Sequence, residues 1–90
     1  MDLPVDVRDT LAQLLGEAAD AARARENDRV EAVLETVGTV AEHKVPDPEL
    51  SAQLRHGCTA VERTIGDEPL VAAEYCRAMR DLVVEQPDET

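Results

Sequence analysis

Two cysteines, Cys58 and Cys76, are the side chains of this 90-residue chain best suited to chemistry. Each stands nine residues from Asp67, the centre of a turn between two predicted helices, and each falls on an apolar helix face. If those helices are antiparallel, the two thiols are neighbours. They can then be reduced, buried core residues, a disulfide that staples the hairpin, or a pair with a redox or metal role.

Other metal ligands are poorly spaced. His56 stands two residues from Cys58, a helical spacing that points the two side chains apart. His43 belongs to another predicted helix, and the chain contains no Cys-x-x-Cys and no His-x-x-x-His pattern. We therefore expect no metal and no other cofactor, and we expect both histidines to be solvated.

Catalytic patterns are equally weak. Ser51 falls in the first turn of a predicted helix without an evident base, and no glycine-rich loop follows a strand. Paired carboxylates such as Glu31 and Glu35 are common in any acidic chain and carry no information. The sequence therefore predicts a protein that is not an enzyme.

Four basic side chains form the remaining candidate site. If the last two helices form a hairpin, four basic residues lie close together: Arg55, His56, Arg77 and Arg80. They would make a local positive surface for an anion or an acidic partner. The competing interpretation is that these arginines pair with carboxylates at helical spacing, such as Glu74 and Asp81.

The elements that position these residues are four predicted amphipathic helices, because apolar residues recur at steps of three and four. The predicted inward residues are Val7, Leu11, Leu14, Leu15, Ala18 and Ala22; Val30, Val33, Leu34, Val37, Val40 and Ala41; Leu50, Leu54, Cys58, Val61 and Ile65; and Leu70, Ala72, Tyr75, Cys76, Met79, Leu82 and Val83. Short connections then predict an all-α domain of two antiparallel helical hairpins, similar to a four-helix bundle, over residues 1–84, with a frayed acidic tail at 85–90.

The breaks between helices have recognisable residues. Asp28 followed by Glu31 has the spacing of a capping box, and Pro46-Asp47-Pro48 should end the second helix and cap the third. Gly66 should close the third helix and Asp67 should cap the fourth.

Three glycines, Gly16, Gly38 and Gly57, fall inside predicted helices. A glycine there costs about 1 kcal/mol relative to alanine. Each therefore marks either a close helix approach or a position where glycine is tolerated.

The charge is strongly acidic, with 20 acidic against 9 basic residues, a net charge of -11, and Lys44 as the single lysine. Such a surface repels itself in dilute buffer but is screened in molar salt, which indicates adaptation to a salt-filled cytoplasm. It argues against nucleic-acid binding, which needs a basic face. No apolar run approaches a membrane span, and Met1–Pro4 does not resemble a secretory signal, so a cytoplasmic location is expected.

The segments His56-Gly57-Cys58 and Glu68–Met79 resemble a family of small acidic proteins in halophilic archaea. The opening Leu3-Pro4 to Val7-Arg8 and the break Lys44-Val45-Pro46 belong to the same pattern. The resemblance implies a salt-adapted helical chain of uncharacterised function. It carries over no catalytic or binding residue.

Two functional hypotheses follow. The first is a non-enzymatic interaction or accessory module that binds a protein partner or a second copy of itself, because four amphipathic helices of this size have a small core. The alternative is a small thiol-based redox or metal-responsive regulator that uses Cys58 and Cys76.

Overall fold

A computed structural model describes residues 3–86 of the chain. They form four α-helices, and no β-strand occurs within this range. The helices are α1 (Val5–Arg23), α2 (Asn27–Lys44), α3 (Pro48–Thr64) and α4 (Pro69–Val84). The predicted all-helical class is therefore confirmed. Residues 87–90, most of the predicted tail, lie outside the described range.

The helices pack as a ring in chain order. Each helix contacts the next, and α4 closes the ring on α1 through the largest interface of the four. Because the connections are only three or four residues long, consecutive helices run antiparallel. The result is a bundle with principal dimensions of 41 × 18 × 17 Å.

The core is built from small and medium apolar side chains. All five residues expected on the inner face of α3 are buried, as are most of those expected for α1 and α2. The interior also takes Leu3, Ala19 and Ala21, which the helical pattern did not include. Small side chains allow helix axes to approach closely, which suits a bundle without Phe or Trp.

Two residues of α4 predicted to face inward do not. Leu70 is 68% exposed and Tyr75 is 42% exposed. The buried stripe of α4 is instead made by Ala72, Ala73, Cys76, Met79 and Val83. At about 100° per residue, Leu70 lies about 160° around the helix from Ala72. Tyr75 lies at the edge of the buried stripe, so the neighbouring helices cover only part of its side chain.

The break between α2 and α3 has the predicted capping residues. Asp47 stands at the N-cap of α3, and its Oδ1 accepts a hydrogen bond of 2.9 Å from the backbone N–H of Glu49. Pro48 occupies the first helical position, where its missing N–H removes no hydrogen bond. His43 and Lys44 lie in the last turn of α2, as expected, where a positive charge favours the helix dipole.

The predicted capping box of α2 was wrong. The N-cap is Glu26 without a side-chain hydrogen bond, and Asp28 lies within the first turn. The reason is the way α1 ends: Arg25 has a φ of 59°. The N–H of Glu26 donates to the carbonyl of Ala21 (2.9 Å) and the N–H of Arg25 to that of Ala22 (3.1 Å). This Schellman motif reverses the chain early, so α2 starts before Asp28.

The prediction that Asp67 caps α4 was also wrong. The N-cap is Glu68, again without a side-chain hydrogen bond. Pro69 takes the first helical position, and the residue directly before a proline is kept out of the helical region, which fixes the N-cap at position 68. Helix α3 ends at Thr64, before Gly66, and the carbonyl of Thr64 accepts from the N–H of Glu68 at 2.7 Å.

Candidate functional site

The α3–α4 interface is tightly packed where Gly57 meets Met79. A Cβ atom placed on Gly57 would overlap the Sδ of Met79 and would lie 2.7 Å from its Cγ and 3.2 Å from its Cε. The Met79 side chain therefore occupies the space that a side chain at position 57 would need. Gly16 and Gly38 have no neighbour within 4 Å of such an atom. Of the three helix-interior glycines, Gly57 alone marks a close helix approach.

Cys58 and Cys76 are core residues of the same two helices. Cys58 follows Gly57 directly, and Cys76 precedes Met79 by one helical turn. Cys76 is fully buried and Cys58 is 7% exposed. Both are free thiols.

The environment holds both cysteines as neutral thiols. Burial raises the pKa of Cys58 to about 11, and the negative charge of Glu62 acts in the same direction. Burial likewise raises the pKa of Cys76 to about 11, with a further contribution from Cys58, so the two sulfurs are within electrostatic range of each other. At pH 7 roughly one thiol in ten thousand is then a thiolate, the form that reacts with electrophiles and metals.

The structure gives the surroundings of three of the four residues in the predicted basic site. Arg55 and His56 line a shallow, open hollow on α3 together with Ala52 and Thr59. Arg77 forms an ion pair with Glu74, at 3.8 Å between Nη1 and Oε1, which is the alternative that the helical spacing offered. That Arg55, His56, Arg77 and Arg80 act as one anion site stays a prediction.

Ser51 has a structural role. It is the buried polar residue of the core, and its Oγ donates a hydrogen bond of 2.8 Å to the carbonyl oxygen of Ala41. This bond joins the last turn of α2 to the first turn of α3. A hydroxyl held in this way is not presented to a substrate.

Several other ionisable residues lie near one another at the surface. Within residues 3–86, no group of three or more His, Cys, Asp or Glu side chains is arranged to hold a metal ion. His43 is exposed beside Glu42, with 4.0 Å between Nε2 and Oε2. Glu31, Glu35 and Glu62 line an open acidic hollow on the surface.

Sequence reasoning missed an exposed cluster on the first two turns of α4. We call Leu70, Val71 and Tyr75 the α4 apolar patch; Val71, one helical turn before Tyr75, is 38% exposed. The signal was present, since Leu70–Ala73 is a run of four apolar residues and such a run cannot lie on one face of a helix. Asp67, Glu68 and Glu74 are exposed beside the patch.

These features define a small all-helical bundle whose last helix exposes apolar side chains. The model of a family described as "Domain of unknown function (DUF8101)" matches residues 1–85, so the chain belongs to that family. Neither a curated protein nor a solved structure gives a significant match. Among residues 3–86, no helix combines the length and apolar character needed to cross a bilayer.

Proposed function

We propose that this chain is a non-enzymatic interaction module that binds another protein through the α4 apolar patch. The observation that carries the proposal is the exposure of three apolar side chains on the first two turns of α4, namely Leu70 (68%), Tyr75 (42%) and Val71 (38%). Val71 and Tyr75, four residues apart, are neighbours on the helix surface, and Leu70 lies about 100° around the helix from Val71, so the three side chains cover one side of these two turns.

The composition of the patch suits protein recognition. Tyr75 is the single aromatic residue of the chain. It is exposed at the surface, so the core is built without an aromatic side chain. Tyrosine is enriched at protein interfaces because it buries a large area and keeps a polar hydroxyl. A partner that covers Leu70 and Tyr75 removes apolar area from water, which favours binding.

The charge around the patch favours a basic partner over a second copy of the chain. Asp67, Glu68 and Glu74 flank the patch, and the whole chain carries a net charge of -11. Two copies packed through the patch would bring these carboxylates together at a partly buried interface, where salt screens charges much less than on the open surface, and this costs free energy. We therefore infer a different protein that presents an apolar surface bordered by lysine or arginine side chains.

The alternative function is a thiol-based redox or metal-responsive regulator. The proximity of Cys58 and Cys76 favours it, but their burial and raised pKa values oppose fast reaction with an oxidant or a metal. The interaction module is therefore the stronger candidate.

We also propose that the chain works in the salt-rich cytoplasm of a halophilic archaeon. The excess of acidic over basic residues and the single lysine support this proposal, because such a surface is stable chiefly where salt screens its repulsion.

The test is affinity capture with matched baits at the native salt concentration. The patch variant is Leu70→Ser with Tyr75→Ser. The control is Val5→Ser with Val84→Ser, which also removes two exposed apolar side chains but leaves the patch intact. We expect a basic protein that is retained by the wild type and the control and lost by the patch variant, and that binds the purified wild-type chain directly in calorimetry.

Equal capture by the patch variant, or no captured protein, contradicts the proposal. Light scattering on the wild type distinguishes self-association. A dimer that the patch variant abolishes would make a second copy the occupant.

A further inference from the structure

We propose that the partner docks as an amphipathic α-helix in the groove between α3 and α4, with its basic residues along the edge that faces α4. This inference rests on the proposed function, because Val71 and Tyr75 of the α4 apolar patch belong to one wall of the groove. It adds the shape and the orientation of the partner's binding segment.

The contact between Gly57 and Met79 fixes which sides of α3 and α4 face each other. Met79 fills the space beside Gly57, so both positions lie at the interface of these two helices. On another side of α3, Ser51 donates its hydroxyl to the carbonyl of Ala41 and so faces α2. At about 100° per residue, Ser51 and Gly57 lie about 120° apart on α3. The sector of α3 beyond Gly57, away from Ser51, is therefore the solvent side of the α3–α4 contact.

One wall of the groove is an apolar strip that follows α4. Val71, Tyr75, Ala78 and Leu82 recur at steps of four and three, so they lie within about 60° of one another on the helix. Tyr75 lies only about 40° around the helix from Met79, which places the strip next to the line of contact with α3. Val71, Tyr75 and Ala78 are exposed and Leu82 is half-buried, so the strip is on the solvent side of that line. Its length is about 17 Å.

The other wall, on α3, has small side chains. Ala60 and Thr64 follow Gly57 at steps of three and four, and all three residues are half-buried. The Thr64 hydroxyl donates to the carbonyl of Ala60 at 2.9 Å, so its polar group already has a partner. Because the helices are antiparallel, three residues forward from Gly57 correspond to about three or four back from Met79, so Ala60 lies level with Tyr75. The groove is therefore uncharged on both walls, in a chain of which 32% of the residues are charged.

A third helix is the occupant that suits these walls. Helices pack through side chains at steps of three and four, and small residues let a second backbone approach closely. An amphipathic helix binds a groove of this kind through one apolar face. An extended strand would need unpaired backbone N–H and C=O groups beside it, and those of α3 and α4 are bonded within their own helices.

The charges beside the α4 wall give the orientation. Glu74 and Asp81 are exposed outside the apolar strip, and seven residues separate them, which is about 10.5 Å along the helix. Glu74 already pairs with Arg77 at 3.8 Å, so Asp81 carries more of the attraction for a partner. Lysine or arginine side chains seven residues apart on a docked helix would lie level with these two carboxylates.

The edge of the groove on α3 differs from the edge on α4. Glu49, His56 and Arg63 are exposed outside the small residues, so this edge has mixed charge. Basic residues on the α3 side of the partner would meet Arg63, which disfavours that orientation. The basic edge of the partner should therefore face α4.

The experiment combines the full chain with a synthetic peptide of about 18 residues that forms an amphipathic helix. Its apolar face has leucine and alanine at steps of three and four, and its lysines lie seven residues apart along one edge of that face. In KCl that keeps the chain folded, we expect micromolar binding in calorimetry and a gain of peptide helicity in circular dichroism. NMR amide shifts should change mainly within 53–64 and 71–82.

Ala60→Gln tests the groove itself, because a long neutral side chain on the α3 wall obstructs a helix without adding charge. Ala32→Gln is the matched control, since Ala32 is exposed on α2. We expect Ala60→Gln to weaken peptide binding about tenfold and Ala32→Gln to leave it unchanged. Circular dichroism checks that both variants are folded, and Ala78→Gln, at an exposed position of the α4 wall, replaces Ala60→Gln if the latter is not.

A second peptide, with the lysines moved to the opposite edge, tests the orientation. It should bind several-fold more weakly than the first, because its lysines then face Arg63. Equal affinity for the two peptides would overturn the inferred orientation.

Three further results would overturn the groove. They are the absence of binding by either peptide, equal binding by the wild type and Ala60→Gln, and amide shifts confined to 70–75. The proposed function is judged separately by affinity capture. If the captured protein is lost by Leu70→Ser with Tyr75→Ser but retained by Ala60→Gln, the α4 apolar patch binds its partner without the groove.

Discussion

Met79 packs its thioether directly against the backbone of Gly57, so that α3 and α4 approach closely where α3 lacks a side chain. A glycine inside a helix normally weakens it by about 1 kcal/mol relative to alanine. At this position Met79 fills the space that a Cβ would need and would have to shift to admit one, whereas Gly16 and Gly38 have free space around them.

Gly57→Ala should therefore destabilise the bundle. The added methyl group overlaps Met79, and overpacking of about 1–3 kcal/mol outweighs the gain in helix propensity. Gly16→Ala and Gly38→Ala are the matched controls and should each stabilise the protein by about 0.5–1 kcal/mol. Urea unfolding at constant salt measures all three. If Gly57→Ala is as favourable as the controls, Met79 does not need the space.

Arg25→Gly should stabilise the protein by up to about 1 kcal/mol. Arg25 has a φ of 59°, a conformation that costs a residue with a Cβ about 1–2 kcal/mol, and glycine removes this cost but has more freedom when unfolded. Arg80→Gly, which removes the same charge inside α4, should instead destabilise by about 1 kcal/mol. Thermal unfolding of the two variants should shift in opposite directions. If the Tm of both variants shifts in the same direction, the backbone conformation of Arg25 does not explain the effect.

The stability of the reduced protein should fall as the pH rises from about 9 to about 11. The pKa of each thiol is raised on folding from 9.0 to about 11, so the unfolded chain loses these protons at a lower pH than the folded chain. The contribution is fully present below pH 9 and is lost as the pH passes through the folded values. Chemical unfolding under reducing conditions measures it. A Cys58→Ser, Cys76→Ser variant should lack this part of the decline, and an identical decline in both proteins would assign it to other groups.

Ser51→Ala should cost about 1–2 kcal/mol. The substitution deletes the buried hydrogen bond to the carbonyl of Ala41, which ties α2 to α3. Thr59→Ala is the control, because its hydroxyl bonds the carbonyl of Arg55 within the same helix and on the surface. Its effect should stay within about 0.5 kcal/mol. If both variants lose the same free energy of unfolding in urea, the hydrogen bond between α2 and α3 contributes no more than the surface bond of Thr59.

Salt should stabilise the folded chain. Raising KCl from about 0.1 M to about 3 M shortens the Debye length from about 10 Å to below 3 Å, which screens repulsion among the excess carboxylates. We expect Tm to rise across this range. Sucrose, which favours compact states without screening charge, is the control. An equal response to both would mean that the acidity has little effect on stability.

The parts of the fold that the sequence predicted correctly are those fixed by spacing. The inner face of α3 follows a regular step of three or four residues, and each of its expected core residues is buried. The break at Pro46-Asp47-Pro48 was readable because proline and a capping carboxylate act through their immediate neighbours.

The predictions were wrong where helix boundaries depend on an unusual backbone conformation or where burial depends on packing against other helices. The left-handed residue at the end of α1 is Arg25, a residue type that does not signal this conformation, and it shifted the start of α2 away from Asp28. The apolar residues of α4 extend around more than half of the helix, so only the positions of the neighbouring helices decide that Cys76 and Met79 are covered and that Leu70 and Tyr75 are not. The run Leu70–Ala73 showed that some apolar residues of α4 must be exposed, but it did not show which of them.

The largest helix interface joins α1 to α4, the two helices farthest apart along the described chain. The residues in contact are far apart in sequence, so the entropy of closing the intervening chain is lost before these contacts stabilise the fold. Neither hairpin buries its apolar face alone. The four helices should therefore acquire their structure in one concerted transition, with the docking of α4 on α1 as the step that completes the nucleus.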